Sequence, residues 1–315
     1  MPSRRRSPAA GIACAAITTI SGALLPIVTR YGATHIDPLL FCAGSAIVAA
    51  ACALPILHRS DGLGLLLDRR YRLALAAIAI AGTVLPSLAM VHGMQRVNAV
   101  SAVLLLETEP VYSLIIATLV VGEAPSPRQL IATAVILAGI VSAFWGGGAI
   151  DLSGTALLVA LTPLMWQLSH VITLRVMPPL RPIGVTAARN TYAAMMLAAL
   201  TVVYRPTALS ELGHLSVIGI LLATGAIVYF IGTLTWYGAI NRLSLSWTTA
   251  LVVPGVPVLS VVFAALFLGE RTSARQLAAL ALAVAGILGL VLGTDPSRPA
   301  AAQIEAIEAP APPGA

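Results

Sequence analysis

Residues 104–140 read LLLETEPVYSLIIATLVVGEAPSPRQLIATAVILAGI, and this stretch decides the fold because it recurs later in the chain. Shifted by 147 residues, it aligns with residues 251–287 and gives 17 identical pairs in 37 positions. Two matched motifs contain charged or polar residues and do not come from shared apolar composition, so the chain contains an internal repeat. These polar matches are Gly122-Glu123 with Gly269-Glu270, and Arg128-Gln129-Leu130 with Arg275-Gln276-Leu277.

The composition places the repeat in a membrane protein. Of the 315 residues, 58% are hydrophobic and 10% are charged, whereas soluble domains carry about 25% charged residues. The mean hydropathy is +0.94. Each apolar run is long enough to cross about 30 Å of hydrocarbon as a helix. The runs cover residues 9–29, 38–57, 72–94, 98–121, 128–146, 153–174, 183–204, 214–238, 244–268 and 274–293.

These runs predict an all-α integral membrane protein with ten transmembrane helices. Strand-type alternation is absent, and bilayers admit only helices or closed barrels as spanning structures. Residues 9–146 and 153–293 then form two five-helix repeats. Because five is odd, the second repeat has the opposite orientation, which gives a 5+5 inverted repeat. Secondary transporters often use this plan, with a substrate site near the midplane between the halves.

The distribution of arginine predicts the orientation. If the N-terminal residues 1–8 are cytoplasmic, 12 arginines lie on the cytoplasmic side and 5 on the other, as the positive-inside rule requires. Both termini are therefore expected in the cytoplasm, in a multi-pass protein of the bacterial inner cell membrane. Residues 294–315 are rich in Pro and Ala and predict a disordered cytoplasmic tail.

Several function classes lack the residues that they need. All 18 basic residues are Arg, so neither a Walker A lysine nor a pyridoxal Schiff base is available. Hydrolase and metalloprotease motifs are absent, so no enzyme activity is expected. The three cysteines have no metal-ligand spacing, and no metal or other cofactor is predicted. The arginines are scattered between apolar runs, which argues against a nucleic-acid partner.

The repeated stretch resembles the EamA-type members of the drug/metabolite transporter superfamily. That family has a Glu-Pro pair in its fourth helix, a Gly-Glu in the next loop and a Gln-Leu opening the fifth helix. Here these are Glu109-Pro110, Gly122-Glu123 and Gln129-Leu130, with Gly269-Glu270 and Gln276-Leu277 in the second half. The resemblance implies a ten-helix carrier that exports small metabolites or drugs. Glu107 is an addition to the family pattern, and an early Arg of the second helix is missing.

Glu109 is the first candidate for coupling transport to protons. By helical rise it lies roughly 16 Å along the fourth helix, near mid-membrane, where a charge is costly. A carboxyl that is protonated in one conformation and ionised in another couples proton movement to substrate movement. A protonated Glu that only fastens helices is the alternative. On a continuous helix Glu107 faces away from Glu109, so Glu109, with Tyr112 and Ser113, is expected to line the cavity. Glu107 is a further coupling or substrate-binding candidate, which either stays protonated or finds a partner on another helix.

Arg189 is the second candidate, about 9 Å into the seventh helix. It could hold a substrate carboxylate or pair with Glu107 or Glu109, or its long side chain could snorkel to the interface. His92 and His170 could relay protons, but both lie near helix ends and are interpreted as interfacial. Other residues predicted to contact substrate are Asn190, Trp166 and Tyr229, although aromatic side chains at helical spacing are more often packing.

Two further groups of residues concern helix shape and packing. Pro110 and its counterpart Pro257 free the carbonyls of Leu106 and Val253, and they predict hinges near the midplane. Small residues four apart recur in the fifth and tenth helices, and they predict close helix packing within one subunit, with a homodimer face as the alternative. The packing residues are Ala138, Ser142, Ala285 and Gly289.

Taken together, these residues predict a secondary active transporter with a small-molecule substrate in a lipid bilayer. The leading hypothesis is a proton-coupled exporter that works by alternating access. The alternative is uncoupled exchange of organic anions or nucleotide-sugar-like solutes, which Arg189 favours. A non-transporting membrane scaffold is the remote third hypothesis.

Overall fold

The computed structural model describes residues 8–116, 118–119, 125–144, 154–176, 180–243, 248 and 251–291. Within these residues the chain is helical and forms no strand, as the apolar runs predict. The helices are α1 (Pro8–His35), α2 (Pro38–Ser60), α3 (Arg72–Ala79), α4 (Leu85–Gly93), α5 (Ala99–Leu106), α6 (Glu109–Ile116), α7 (Pro127–Phe144), α8 (Gly154–Val176), α9 (Pro182–Tyr204), α10 (Leu215–Ala223), α11 (Thr233–Ile240), α12 (Gly255–Leu268) and α13 (Ala274–Val291).

Four further helical segments connect these elements. A π-helical segment, Ile80–Val84, joins α3 to α4, and another, Thr224–Gly232, joins α10 to α11. Shifted by 147 residues, residues 80–84 fall at 227–231, so the two π-helical segments overlap in the repeat alignment. Short 3₁₀ helices, Leu63–Leu67 and Pro206–Gly213, follow α2 and α9.

The membrane-spanning candidates are fewer than the ten predicted helices. Among the described residues, six helices are long and apolar enough to cross a bilayer, and a seventh candidate combines α9 with the 3₁₀ helix behind it, bent by 106°. Three shorter apolar helices are α7, α12 and α13. The ten-span, 5+5 arrangement and the cytoplasmic position of both termini stay predictions. The tail at 294–315 lies outside the described residues.

Helices α2 and α9 form one of the two most extensive helix pairs. They are antiparallel, and an ion pair joins them at each end. Asp37, which caps the start of α2, lies 3.5 Å from Arg205 at the end of α9. Asp61, at the end of α2, lies 3.4 Å from Arg181 at the start of α9. The two ion pairs lie at opposite ends of the same seam.

Helices α7 and α13 form the other extensive pair, and glycines set their separation. A Cβ atom at Gly139 would lie 2.8 Å from the carbonyl oxygen of Ala279, and one at Gly286 would lie 2.8 Å from the carbonyl oxygen of Ala132. The predicted packing residues Ala138 and Ala285 are exposed, and Ser142 is half-buried. Gly289 faces Ala132 of the same chain. The two helices therefore approach each other most closely at Gly139 and Gly286, one residue after the predicted packing residues Ala138 and Ala285.

The polar motifs of the repeat cap helices. Ser126 and Gln129 exchange hydrogen bonds at the start of α7, and Ser273 and Gln276 do the same at the start of α13. This reciprocal arrangement is a capping box, which satisfies backbone N–H groups that a helix start leaves open. The recurrence of Gln-Leu in the sequence is therefore a requirement of helix initiation.

The second Gly-Glu motif joins two helices. Gly269 adopts a left-handed conformation, with φ of 64°, and ends α12. The carboxylate of Glu270 then accepts hydrogen bonds from the backbone N–H groups of Ala99 and Val100 at the start of α5. This pair therefore forms a turn at the end of α12 and a cap for α5. The first Gly-Glu pair, at 122–123, lies outside the described residues.

Candidate functional site

A cavity of about 250 Å³ lies among the middle parts of α1, α4, α8, α9 and α11 and the breaks beside α5 and α12. It is large enough for a small metabolite, and its wall mixes apolar side chains with charged, hydroxyl and aromatic groups. Six of the eight predicted substrate or coupling residues line it. These six are Glu107, Glu109, Trp166, Arg189, Asn190 and Tyr229.

The fourth apolar run is broken exactly where its carboxyls lie. Helix α5 ends at Leu106 and α6 begins at Glu109, with Glu107 and Thr108 forming a turn between them. Pro110 has no N–H to donate to the carbonyl of Leu106, so the α-helical hydrogen bond is missing at this point, where the helix breaks. Thr108 donates from its hydroxyl to the carbonyls of Leu105 and Ala160, at 2.8 and 3.1 Å, and ties the turn to α8.

This break changes the orientation of Glu107. The expectation that Glu107 faces away from the cavity assumes a continuous helix, and it is wrong because the helix is interrupted. Both carboxyls line the cavity, and Glu107 is 6% exposed. Tyr112 and Ser113 lie further along α6 and do not line the cavity, and Ser113 is exposed.

The ninth apolar run has the matching break. Val253 and Pro254 form a turn, and α12 begins at Gly255. Val253 and Leu106 are equivalent in the repeat, and both line the cavity. Pro110 and Pro257 therefore act on residues of the cavity wall, although neither proline lines it. Val256 takes the place of Glu109 in the second half, so both carboxyls of the cavity wall come from the first half.

Glu109 has a defined hydrogen-bond partner. The side-chain amide of Gln167 on α8 donates to its Oε1 atom at 2.8 Å. Neither Glu109 nor Glu107 forms an ion pair with any described residue. Because an uncompensated charge in a low-dielectric site is costly, this surrounding favours a carboxyl that can take up a proton.

Arg189 is held in the interior by neutral groups. Its Nε donates to Thr83 Oγ1 at 2.7 Å, one terminal nitrogen donates to the carbonyl of Gly82, and the other lies 3.4 Å from the hydroxyl of Tyr237. The snorkelling alternative is therefore wrong, and within the described residues Arg189 pairs with neither Glu107 nor Glu109. A guanidinium has five N–H donors, so this arrangement leaves donors for a ligand.

The backbone acceptors Ile227 and Tyr229 lie in the π-helical segment Thr224–Gly232, and a third, Ile78, lies in α3 just before the other π-helical segment. In a π-helix the hydrogen bonds run from i to i+5, which changes the direction of local carbonyls. Ser21 of α1 donates to the carbonyl of Ile227 at 3.0 Å, and Ser169 of α8 donates to that of Ile78 at 3.2 Å. Asn190 donates to the carbonyl of Tyr229 at 3.3 Å. The first helix of each half thus reaches the third helix of the other half.

His170 lies in the cavity, so its interpretation as interfacial is wrong. The imidazole stacks on Trp236, with ring centroids 5.8 Å apart, and both side chains line the wall. His92 is exposed near the end of α4. Other polar residues of the wall have no strong signal in the sequence, because hydroxyl side chains are common in apolar helices. They are Thr18, Ser21, Thr29, Thr83, Ser87 and Thr233.

No cluster of three or more metal-ligating side chains occurs in the part of the chain that the structure describes. The arrangement can instead bind a small solute through one fixed guanidinium, two carboxyls and two indole rings. These groups combine charge recognition with apolar contact, as small-molecule pockets do.

Three comparisons place this geometry among known proteins. A model of the EamA-like transporter family matches residues 9–145 and 153–292. An uncharacterized transporter of Archaeoglobus fulgidus is 27% identical over 251 residues, which cover 78% of this chain and 85% of that protein. A solved crystal structure with 18% identity has a TM-score of 0.67 and covers 91% of this chain and 98% of its own, which indicates a shared fold.

Proposed function

The chain belongs to the EamA-like transporter family and is a membrane transporter, and from this premise we propose that it is a proton-coupled secondary exporter of small metabolites or drugs. The observation that carries the proposal is the placement of Glu107 and Glu109 together in the wall of a central cavity, at a break in a helix. A carboxyl there can bind a proton in one conformation and release it in another.

Alternating access in this proposal uses the two broken helices. The α5–α6 and α12 breaks both border the cavity, α5 and α12 contact each other, and each break contributes an equivalent residue to the wall. Discontinuous helices near the midplane are where carriers bind solutes and bend. Two sets of contacts support the 5+5 inverted repeat, since each contact recurs in the other half. They are the serine hydrogen bonds from α1 and α8 and the glycine contacts between α7 and α13.

The proposal places ten helices in the inner cell membrane with both termini in the cytoplasm. We propose that the transporter functions as a monomer, because the glycines of α7 and α13 already pack against each other's helix within one chain. A homodimer remains an alternative for the exposed stripe that includes Ala138 and Ala285.

The test begins with the solute. Compounds that accumulate in the medium of overexpressing cells, and not of deletion cells, are loaded into vesicles that contain the purified protein. An imposed pH gradient is expected to drive their movement by the wild type, and not by Glu109→Gln. Glu211→Gln is the matched control, because Glu211 accepts a hydrogen bond from Asp37 N–H far from the cavity. Unchanged gradient dependence in Glu109→Gln would refute proton coupling through this residue.

Uncoupled exchange of organic anions is the second candidate, and Arg189 favours it. Its guanidinium lines the cavity without an acidic partner among the described residues. In that case the wild type ignores the pH gradient, and efflux of a labelled anion accelerates when the same anion is present outside. The vesicle experiment therefore separates the two candidates in one preparation.

A further inference from the structure

The turn between α2 and α3 carries a dense cluster of positive charge. Arg59, Arg69, Arg70 and Arg72 are all exposed. Both flanking helices are membrane-span candidates, so the connection between them lies at a membrane surface. We name these four arginines together with the 3₁₀ helix Leu63–Leu67 the α2–α3 surface.

The acidic residues of this turn do not cancel its charge. Asp61 lies 3.4 Å from Arg181 of α9, so its charge is already paired. The Oδ1 atom of Asp68 accepts the backbone N–H of Arg70 at 2.9 Å, and Asp68 keeps its own charge, so four arginines face one remaining carboxylate. The α2–α3 surface is therefore strongly basic toward its surroundings.

The same surface exposes apolar side chains next to the arginines. Leu67 is 81% exposed and Leu73 is 78% exposed, whereas Leu65 and Leu66 of the 3₁₀ helix are half-buried against the protein. The ring of Tyr71 is half-buried and lies under the guanidinium of Arg70, 5.4 Å from it. Exposed leucines beside arginines and a tyrosine are the composition of a segment that lies in the headgroup layer.

From this combination we infer that the α2–α3 surface binds anionic phospholipid, with the exposed Leu67 and the adjoining Leu73 in the acyl region and its arginines on the phosphodiester groups. Arg is suited to this contact because its planar donors match phosphate oxygens, and juxtamembrane basic residues attract anionic lipid. The inference does not depend on what the transporter carries.

The second half of the chain supplies a matched control. The 3₁₀ helix Pro206–Gly213 follows α9 as Leu63–Leu67 follows α2, and it also exposes leucines, Leu209 and Leu212. Its charges differ, because Arg205 pairs with Asp37 and the helix contains Glu211. This segment has the apolar part of the arrangement without the basic part.

The experiment places one fluorescent probe on each segment. Gly64 and Gly213 both face open space, so a labelled cysteine at either position displaces nothing. The two variants, Gly64→Cys and Gly213→Cys, are made in a background where Cys14, Cys42 and Cys52 are replaced by Ala. Each is reconstituted in phosphatidylcholine vesicles that contain a minority of brominated phosphatidylglycerol or, in parallel, brominated phosphatidylcholine.

Quenching by the anionic lipid is expected to exceed quenching by the zwitterionic lipid several-fold at position 64, and to equal it at position 213. Replacing Arg69, Arg70 and Arg72 by Gln is expected to abolish the excess, with each arginine contributing up to roughly fivefold. Circular dichroism of the triple variant checks that the fold is kept. Equal quenching by both lipids at position 64, or an excess that survives the triple substitution, overturns the inference.

Discussion

Gly139 of α7 and Gly286 of α13 each admit the backbone of the other's helix. The atoms that they approach, the carbonyl oxygens of Ala279 and Ala132, are themselves 147 residues apart, as the glycines are. The glycine-to-carbonyl contact therefore occurs twice, and the two copies are related by the internal repeat. It is a packing relationship in which a side chain on either glycine must push the two helices apart.

Substitution of Gly286 by Leu is expected to destabilise the protein by about 1–3 kcal/mol, the usual cost of overpacking. A Cβ atom there would lie 2.6 Å from a side-chain carbon of Ile136 and 2.8 Å from the carbonyl oxygen of Ala132. Thermal unfolding in detergent measures the effect. Gly219→Leu is the control, since Gly219 on α10 faces open space. Equal stability of the two variants would contradict the glycine contact.

The ion pair between Asp61 and Arg181 predicts a charge-swap result. The single substitution Asp61→Arg places two cations together and is expected to cost about 0.2–1 kcal/mol, because the side chains are 24% and 67% exposed and solvent screens them. The double substitution Asp61→Arg with Arg181→Asp restores the pair. A thermodynamic cycle from unfolding temperatures measures the recovery, and a double variant no better than the single would argue against the pair.

Thr83→Val tests how Arg189 is positioned. Valine keeps the shape of threonine but removes the oxygen that accepts from Arg189 Nε at 2.7 Å. We expect the KM for a carboxylate-bearing substrate to rise about tenfold with little change in kcat, as for loss of one hydrogen bond to a charged group. Vesicle transport kinetics measure both constants. Thr207→Val, on the exposed 3₁₀ helix, should leave the KM unchanged.

Glu270→Ala tests the cap that α12 gives to α5. The substitution leaves the N–H groups of Ala99 and Val100 without their acceptor, and we expect a loss of about 1–2 kcal/mol. Glu270→Gln keeps one side-chain oxygen and should lose less. Differential scanning calorimetry measures the stability of the two variants. An alanine variant as stable as the wild type would show that the cap is dispensable.

The sequence predicts the breaks in the fourth and ninth apolar runs because proline removes a specific donor. Pro110 and Pro257 point to Leu106 and Val253, and the structure places both of these residues in the cavity wall. The candidates Glu109, Arg189, Asn190, Trp166 and Tyr229 also lie there, since a polar or aromatic group in an apolar helix is itself informative.

Three features could not be obtained from the sequence, each for a physical reason. Glu107 enters the cavity because a turn replaces a helix, and helical spacing fails at a turn. The partners of Arg189 depend on Gly82 and Thr83, which a π-helical segment presents. The close approach at Gly139 lies beside the predicted stripe at Ala138, and alanines on adjacent faces of α7 make the two faces alike in sequence.

The π-helical segment Ile80–Val84 also determines which side chains of α4 face the cavity. A π-bulge contains one residue more than the α-helical turn it replaces. Deleting one residue there would rotate everything beyond it by about 100° and carry Ser87 and Met90 away from the wall that they now form. The direction in which Ser87 and Met90 face therefore depends on the π-helical turn before them, and a longer π-helical segment, Thr224–Gly232, overlaps the equivalent place in the other half.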